Sequence, residues 1–283
     1  MHVHFMPPRV MDKVWAYFDA VGPLTGVQWP IAYREHEQAR LQRLRSMGVR
    51  AFPSLVYAHK PGMAAWLNEW AAGFAGTHPD VLQTATFYPE PGVADYVDAA
   101  LAAGTRLWKA HLQVGAYDPR DPLLDDVWGR LAEAGTPVVV HCGHGPVPGP
   151  FTGPAPFAEV LRRHPSLTAV IAHMGMPDYG EFLVLAERYP RVHLDTTMAF
   201  TDWTERRAPF PAELRGRLAA LRERVLLGTD FPNTPYPYAH QVEALARLGM
   251  DDGWLRAVLH DNAASLLALG RSASRAGHED GSN

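Results

Sequence analysis

One spacing constrains this chain more than any other. Lys109, His141 and His173 each stand at or next to the end of an apolar, strand-like run, and each follows the last by 32 residues. The runs read TRLWK, PVVVH and LTAVIAH. An interval of that size holds a strand, a helix that returns along it and two short loops, which is what neighbouring parallel strands require. From His173 to Asp230 the interval is 57 residues, room for two such units, with a further strand at 191–197 between them.

The same alternation runs through the rest of the chain. Strands are expected at 49–57, 81–88, 105–112, 137–142, 167–173, 191–197 and 224–231. Helices are expected at 31–47, 62–75, 93–103, 123–134, 156–163, 179–188, 211–222 and 238–248, with a last one at 254–269. Helix ends carry Gly48, Gly104 and Gly135, or the pairs His164-Pro165 and Tyr189-Pro190, which are stop signals. An eighth strand has room only before and through His2-Val3-His4, and most of it is missing. Eight strand–helix units predict a single (β/α)8 TIM barrel over 1–269, with the first strand largely absent. A doubly wound sheet is the runner-up, but it wants a Gly-rich phosphate turn after its first strand, and no G-x-G-x-x-G occurs. Residues 270–283 are small, polar and Gly/Ser-rich and are expected to be a disordered tail. The chain is expected to lack several N-terminal residues of a longer natural protein.

Composition narrows the function. Lys and Arg number 26 against 30 Asp and Glu, so the net charge of −4 lacks the footprint of a nucleic-acid binder. A single cysteine, Cys142, excludes an internal disulfide framework and any multi-Cys metal site. No apolar run is long enough to span a membrane, and MHVHFMPPRV is not a secretory signal, so a cytoplasmic location is expected. The 14 histidines are where chemistry is to be sought.

In a (β/α)8 barrel the strand C-termini converge on one mouth. The polar residues expected there are His2, His4, Lys109, His111, His141, His173, Asp195 and Asp230. His2 and His4 have period-two spacing, so on a strand both imidazoles point to one side and can hold one metal; alternatively they are unrelated histidines at a frayed end. His141 and His173 share a grammar: each ends an apolar strand and is followed two residues later by glycine, where backbone can approach a ligand closely. Each alone could be a hydrogen-bonded core histidine. Asp230, after VLLGT, needs a cation, a hydrogen-bond network or a metal, or else it caps a turn before Pro232. Asp195 is the weaker case, because Thr196 and Thr197 could satisfy it. Lys109 could bind an anionic substrate group, be carbamylated as a metal ligand, or pair with a carboxylate. Cys142, adjacent to His141, should face the opposite side and pack. Trp66, Trp70, Trp128 and Trp254 read as helix core, Trp108 should face the surrounding helices, and 146–156 reads as a mouth loop, a lid or a stiff connection.

The whole constellation resembles the amidohydrolase superfamily, and IAHMG, LDTTM, LLGTDFP and LHDNAASLLAL resemble its amidohydrolase-related family, which includes decarboxylases of unsaturated and resorcylate-type acids and several lactone hydrolases. The resemblance covers the chain to about Leu269. It implies one divalent metal, Zn²⁺ first with Mn²⁺ or Fe²⁺ as alternatives, held by His2, His4, His141 and Asp230. His173 and Asp230 are then the catalytic acid/base groups, and Lys109 and His111 contact substrate. The implied activity is metal-dependent hydrolysis of a C–O or C–N bond in a small carboxylated or cyclic substrate through a metal-activated water. The alternatives are non-oxidative decarboxylation of an aromatic or unsaturated acid, and a degenerate non-catalytic barrel. The expected partner is a small-molecule substrate, with no nucleic acid and no membrane. The terminal segment 254–269 offers an apolar face that serves equally as core or as a homodimer surface.

Overall fold

The computed structural model describes residues 1–269; the expected tail at 270–283 lies outside the described residues. Its strands are β1 (Phe52–Pro53), β2 (Val81–Leu82), β3 (Thr84–Thr86), β4 (Leu107–His111), β5 (Val138–His141), β6 (Ala169–Ile171), β7 (Val192–Asp195) and β8 (Val225–Leu226). β3 to β8 form one parallel sheet in sequence order, and β1 pairs in parallel with β2. The slot between β8 and β1 is spanned by the N-terminal residues. Val3 bridges Phe231 in parallel, the His4 amide donates to the Phe231 carbonyl at 2.7 Å, and the Leu55 amide donates to the Val3 carbonyl at 2.9 Å. A strand of very few residues thus has a partner on each side, and the fold is a TIM barrel.

Period-two alternation sorts side chains between two cores. On β4, Trp108 and Ala110 face outward to the helices, and on β5 Val138 and Val140 do the same; they join Trp128, Phe157 and Phe182 in the large outer core. The intervening Leu107 and Val139 face inward, where Leu55, Val170 and Leu226 meet them. Leu267, from the C-terminal segment, packs into this inner cluster. Buried on both sides, β5 is apolar until its last residue, whereas β4 carries Lys109 at its centre. Cys142 lies in the outer core as expected, and Trp108 faces the helices.

Helix boundaries follow local chemistry. In the helix Pro122–Ala134, Asp121 accepts from the Leu123 amide, Pro122 takes the first position, and Gly135 closes the helix at φ 65°, a left-handed turn that glycine adopts without strain. Three expectations need correction. A helix Pro8–Thr25 was not anticipated, although Val10, Val14, Trp15 and Phe18 recur at helical spacing; it has no side-chain cap and contains Pro23. The helix expected over 31–47 is Glu37–Ser46, because the His36 ring caps it by accepting from the Ala39 amide. Trp66 is 47% exposed rather than core: Leu67, Ala71 and Phe74 make the buried stripe of the helix Ala64–Thr77, and Trp66 falls outside it. Among the described residues no helix is long and apolar enough to cross a membrane.

Candidate metal centre

The same alternation that turns Val3 and Phe5 outward turns His2 and His4 inward. There they meet Asp230. Its Oδ1 lies 2.9 Å from His4 Nε2 and 3.7 Å from His2 Nε2, and one ligand-capable atom from each of the three falls within 4.8 Å of the others. All three residues are buried. Each imidazole has its other nitrogen engaged. His4 Nδ1 bonds the Leu55 carbonyl at 2.9 Å, and His2 Nδ1 bonds Asp195 Oδ2 at 2.9 Å. A carbonyl and a carboxylate only accept, so both Nδ1 atoms carry a proton, and both Nε2 atoms face the Asp230 oxygen. Oriented imidazoles with outer hydrogen bonds, plus one carboxylate, fit a divalent cation.

Asp195 does more than its threonine context suggested. Its Oδ1 accepts from the amides of His173 at 3.2 Å and Thr197 at 3.0 Å, while Oδ2 holds His2. Burial would raise this carboxyl, but His2 and these donors outweigh it and hold the group well below the ordinary range. Asp230 follows the same logic: burial opposes ionisation, and His4 and His2 win. Gly228 makes room for this cluster. A Cβ there would stand 2.0 Å from Thr197 Oγ1 and 2.6 Å from Asp195 Oδ1.

Four of these histidines, His2, His111, His141 and His173, are held neutral. Burial first, then the Lys109 charge, pushes His2 down to about 3. Burial likewise lowers His111, His141 and His173. Neutral imidazole is the ligand form.

Lys109 is fully buried beneath His2, with Nζ 3.1 Å from His2 Nε2. Among the described residues no carboxylate lies within ion-pair distance of it, so of the three alternatives the carboxylate pair is not formed, and Nζ bonds an imidazole instead. Burial brings its pKa down to about 8 against the opposing pull of Asp195 and Asp230.

The remaining candidates stand around these ligands in a closed circle of rings. From His4 the centroid distances are 5.6 Å to Tyr57, then 4.9 Å to His111, 4.1 Å to His141, 4.7 Å to His173, 5.2 Å to His2 and 5.0 Å back to His4. The β4–β5 register sets His111 beside His141, and the two rings stack. His141 stands outside the trio of His2, His4 and Asp230, because its Nε2 bonds the Gly145 carbonyl at 2.9 Å. His173 uses Nδ1 on the Thr197 carbonyl at 3.2 Å, which leaves Nε2 uncommitted.

The loops carrying these groups are strained and interlocked. His173, Met174 and Asp230 hold left-handed φ of 55°, 54° and 53°. Such angles in non-glycine residues cost about 1 kcal/mol or more each and cluster at functional sites. The glycines after His141 and His173 serve loop packing rather than ligand approach. A Cβ on Gly143 would lie 2.7 Å from the Gly175 backbone, and one on Gly175 would collide with Phe182. Residues 146–156 are tied down at both ends, through the Gly145 amide on the Met176 carbonyl and the Gly153 amide on the Cys142 carbonyl. The Cys142 thiol is pushed far up by burial and is no nucleophile.

One residue of the site, Tyr57, has no charge or imidazole to mark it at the end of its expected strand, and the role of another, Asp195, is larger than expected. Asp195 was weighed by its neighbours in sequence, whereas its partner is 193 residues away.

Comparison with known proteins agrees with the fold. No curated protein matches the chain. An uncharacterized TIM-barrel protein of Bordetella bronchiseptica superposes with a TM-score of 0.73 at 20% identity, covering 94% of this chain and 97% of that one. A Pseudomonas putida protein described as a 2-pyrone-4,6-dicarboxylic acid hydrolase gives 0.61 at 19% identity, over 94% and 96%. A dihydroxybenzoic acid decarboxylase of a Polaromonas species, with bound manganese and the inhibitor 2-nitroresorcinol, gives 0.63 at 13% identity, over 96% of both chains. At such identities these likenesses speak for the fold alone. The model of the amidohydrolase family matches residues 1–269, so the chain belongs to the amidohydrolase family.

Proposed function

We propose that the protein is a metal-dependent hydrolase that opens a C–O or C–N bond in a small, planar, carboxylated substrate. The observation that carries this reading is the trio itself: two imidazoles with their Nδ1 protons committed, both presenting Nε2 to one oxygen of Asp230. A divalent metal, Zn²⁺ by preference for this N/O donor set, supplies Lewis acidity and an activated water when bound there. His141 is the fourth ligand, recruited at the cost of its bond to the Gly145 carbonyl.

The chain's own groups divide the remaining work. Asp195 fixes His2, and by accepting from the His173 amide it fixes His173 as well. Asp230 Oδ2 bonds no group among the described residues and is the base that takes a proton. His173 Nε2, whose lone pair is uncommitted because Nδ1–H is on the Thr197 carbonyl, receives that proton and passes it to the leaving group. Lys109 sets the charge beneath His2, and His111 meets the substrate.

A second reading, non-oxidative decarboxylation of an aromatic acid, is favoured by the flat walls of the ring circle and by the decarboxylase among the similar structures. In it His173 or Asp230 protonates carbon. One experiment separates the two. Protein loaded with Zn²⁺ or Mn²⁺ is given 2-pyrone-4,6-dicarboxylate and a panel of lactones and amides, with bond opening followed by absorbance and base uptake. In parallel it is given dihydroxybenzoic acids, with CO₂ release followed. Turnover in the first set, lost in His173→Ala, is expected. CO₂ release alone replaces hydrolysis by the second reading. A protein that holds no metal sinks both.

A further inference from the structure

The closed circle of rings contains one member that is not a histidine, and packing accounts for only part of it. Tyr57 meets the His4 ring edge-on at 88° and tilts against His111 at 52°. A phenylalanine would make both contacts. The hydroxyl is left over: it bonds no protein group among the described residues, although the residue is partly buried. The backbone around it is anchored. Leu55 bonds Val3 through its amide and His4 through its carbonyl, and the Ala58 amide donates to Thr86 Oγ1 at 3.4 Å. Tyr57 is therefore held on the barrel rim between two fastened neighbours, next to a metal-ligand candidate. In the order of the circle it stands across from His173.

We propose that the Tyr57 hydroxyl is a substrate-binding donor, which holds the second oxygen of a planar phenolic or carboxylic acid whose first oxygen is directed at the His2–His4–Asp230 trio. This rests on the trio being the metal centre. The neighbourhood suits the role. A phenol is protonated at neutral pH, so the hydroxyl donates and does not compete as an anion. The stacked His111 and His141 rings, 4.1 Å apart and inclined by 12°, provide a flat face beside it. A planar ring carrying two oxygens would be held between Tyr57 and the trio, with His173 on the far side for proton transfer. A substrate with only one such oxygen would leave the hydroxyl unpaired and bind more weakly.

The test uses 2-nitroresorcinol, a coloured planar compound with adjacent phenolic and nitro oxygens, titrated into Mn²⁺-loaded wild-type protein and Tyr57→Phe. Metal content and melting temperature are measured on both. Tyr57→Phe is expected to keep the metal and the melting temperature and to bind the probe about tenfold more weakly. Equal probe affinity in Tyr57→Phe, with metal retained, overturns the role of Tyr57 and leaves the metal reading standing. Wild type that holds Mn²⁺ but not the probe overturns the proposed ligand class. Wild type that holds neither overturns this inference together with the metal centre.

Discussion

Lys109 Nζ lies 3.1 Å from His2 Nε2, on the same imidazole nitrogen that faces Asp230 Oδ1 at 3.7 Å. One lone pair thus has two suitors. Without metal, the lysine donates to it; a metal joining His2 through Nε2 displaces that bond. The ammonium also repels an incoming cation, and burial has already brought its pKa down to about 8.

This gives a pH signature in the metal-free protein. The unfolded lysine titrates near 10.5 and the folded one near 8. Between those values the unfolded state binds more protons, so this group makes stability rise as pH rises through that window. The cost of burying the charged form, on the order of 3 kcal/mol, is fully present below pH 8 and is relieved by about pH 10.5. Lys109→Met should lack this rise. Chemical denaturation of both proteins from pH 7 to 10.5 reads the difference, and parallel curves would refute it.

Asp195→Asn leaves every proposed ligand in place but loosens His2. Loss of an outer carboxylate on a metal-binding histidine typically costs 10–100-fold in metal affinity. A competition titration against a chelator should find a drop of that size, with the stoichiometry still near one metal per chain.

His141→Ala and His4→Ala should differ. His4 Nε2 faces the Asp230 oxygen at 2.9 Å, whereas His141 Nε2 must first leave the Gly145 carbonyl. His4→Ala is expected to abolish metal binding at micromolar metal, and His141→Ala to weaken it. Elemental analysis of the two variants after dialysis decides this; equal retention in both would remove His4 from the ligand set.

Gly228→Ala is expected to be costly for so small a change. The new Cβ would lie 2.0 Å from Thr197 Oγ1 and 2.6 Å from Asp195 Oδ1, both deeply buried. Overpacking of this kind costs about 1–3 kcal/mol. The displaced carboxylate should also lower metal affinity, so the melting temperature and the chelator titration should fall together.

Much of the fold was legible because its causes are local. Side chains alternate along a strand with period two, so His2-Val3-His4 had to present both imidazoles to one side. Glycine and proline end helices through their own backbone geometry, as Gly135 does. Strand–helix units of one length, repeated, leave few arrangements other than a barrel with its polar strand ends at one mouth. Where local signals were absent or divided, the reading slipped: the uncapped helix Pro8–Thr25 was missed, and Trp66 was placed in the core.

The sequence alone pointed to His2, His4, Lys109, His111, His141, His173, Asp195 and Asp230, which the structure gathers into one cluster of imidazoles, carboxylates and a buried lysine. Tertiary structure decided how they are paired. That Asp195 orients His2, that Lys109 reaches an imidazole rather than a carboxylate and that Tyr57 completes the circle all depend on strands far apart in sequence. Hydrogen bonds act over about 3 Å. No local rule places atoms that finely across a barrel, because their separation follows from how all the strands close together.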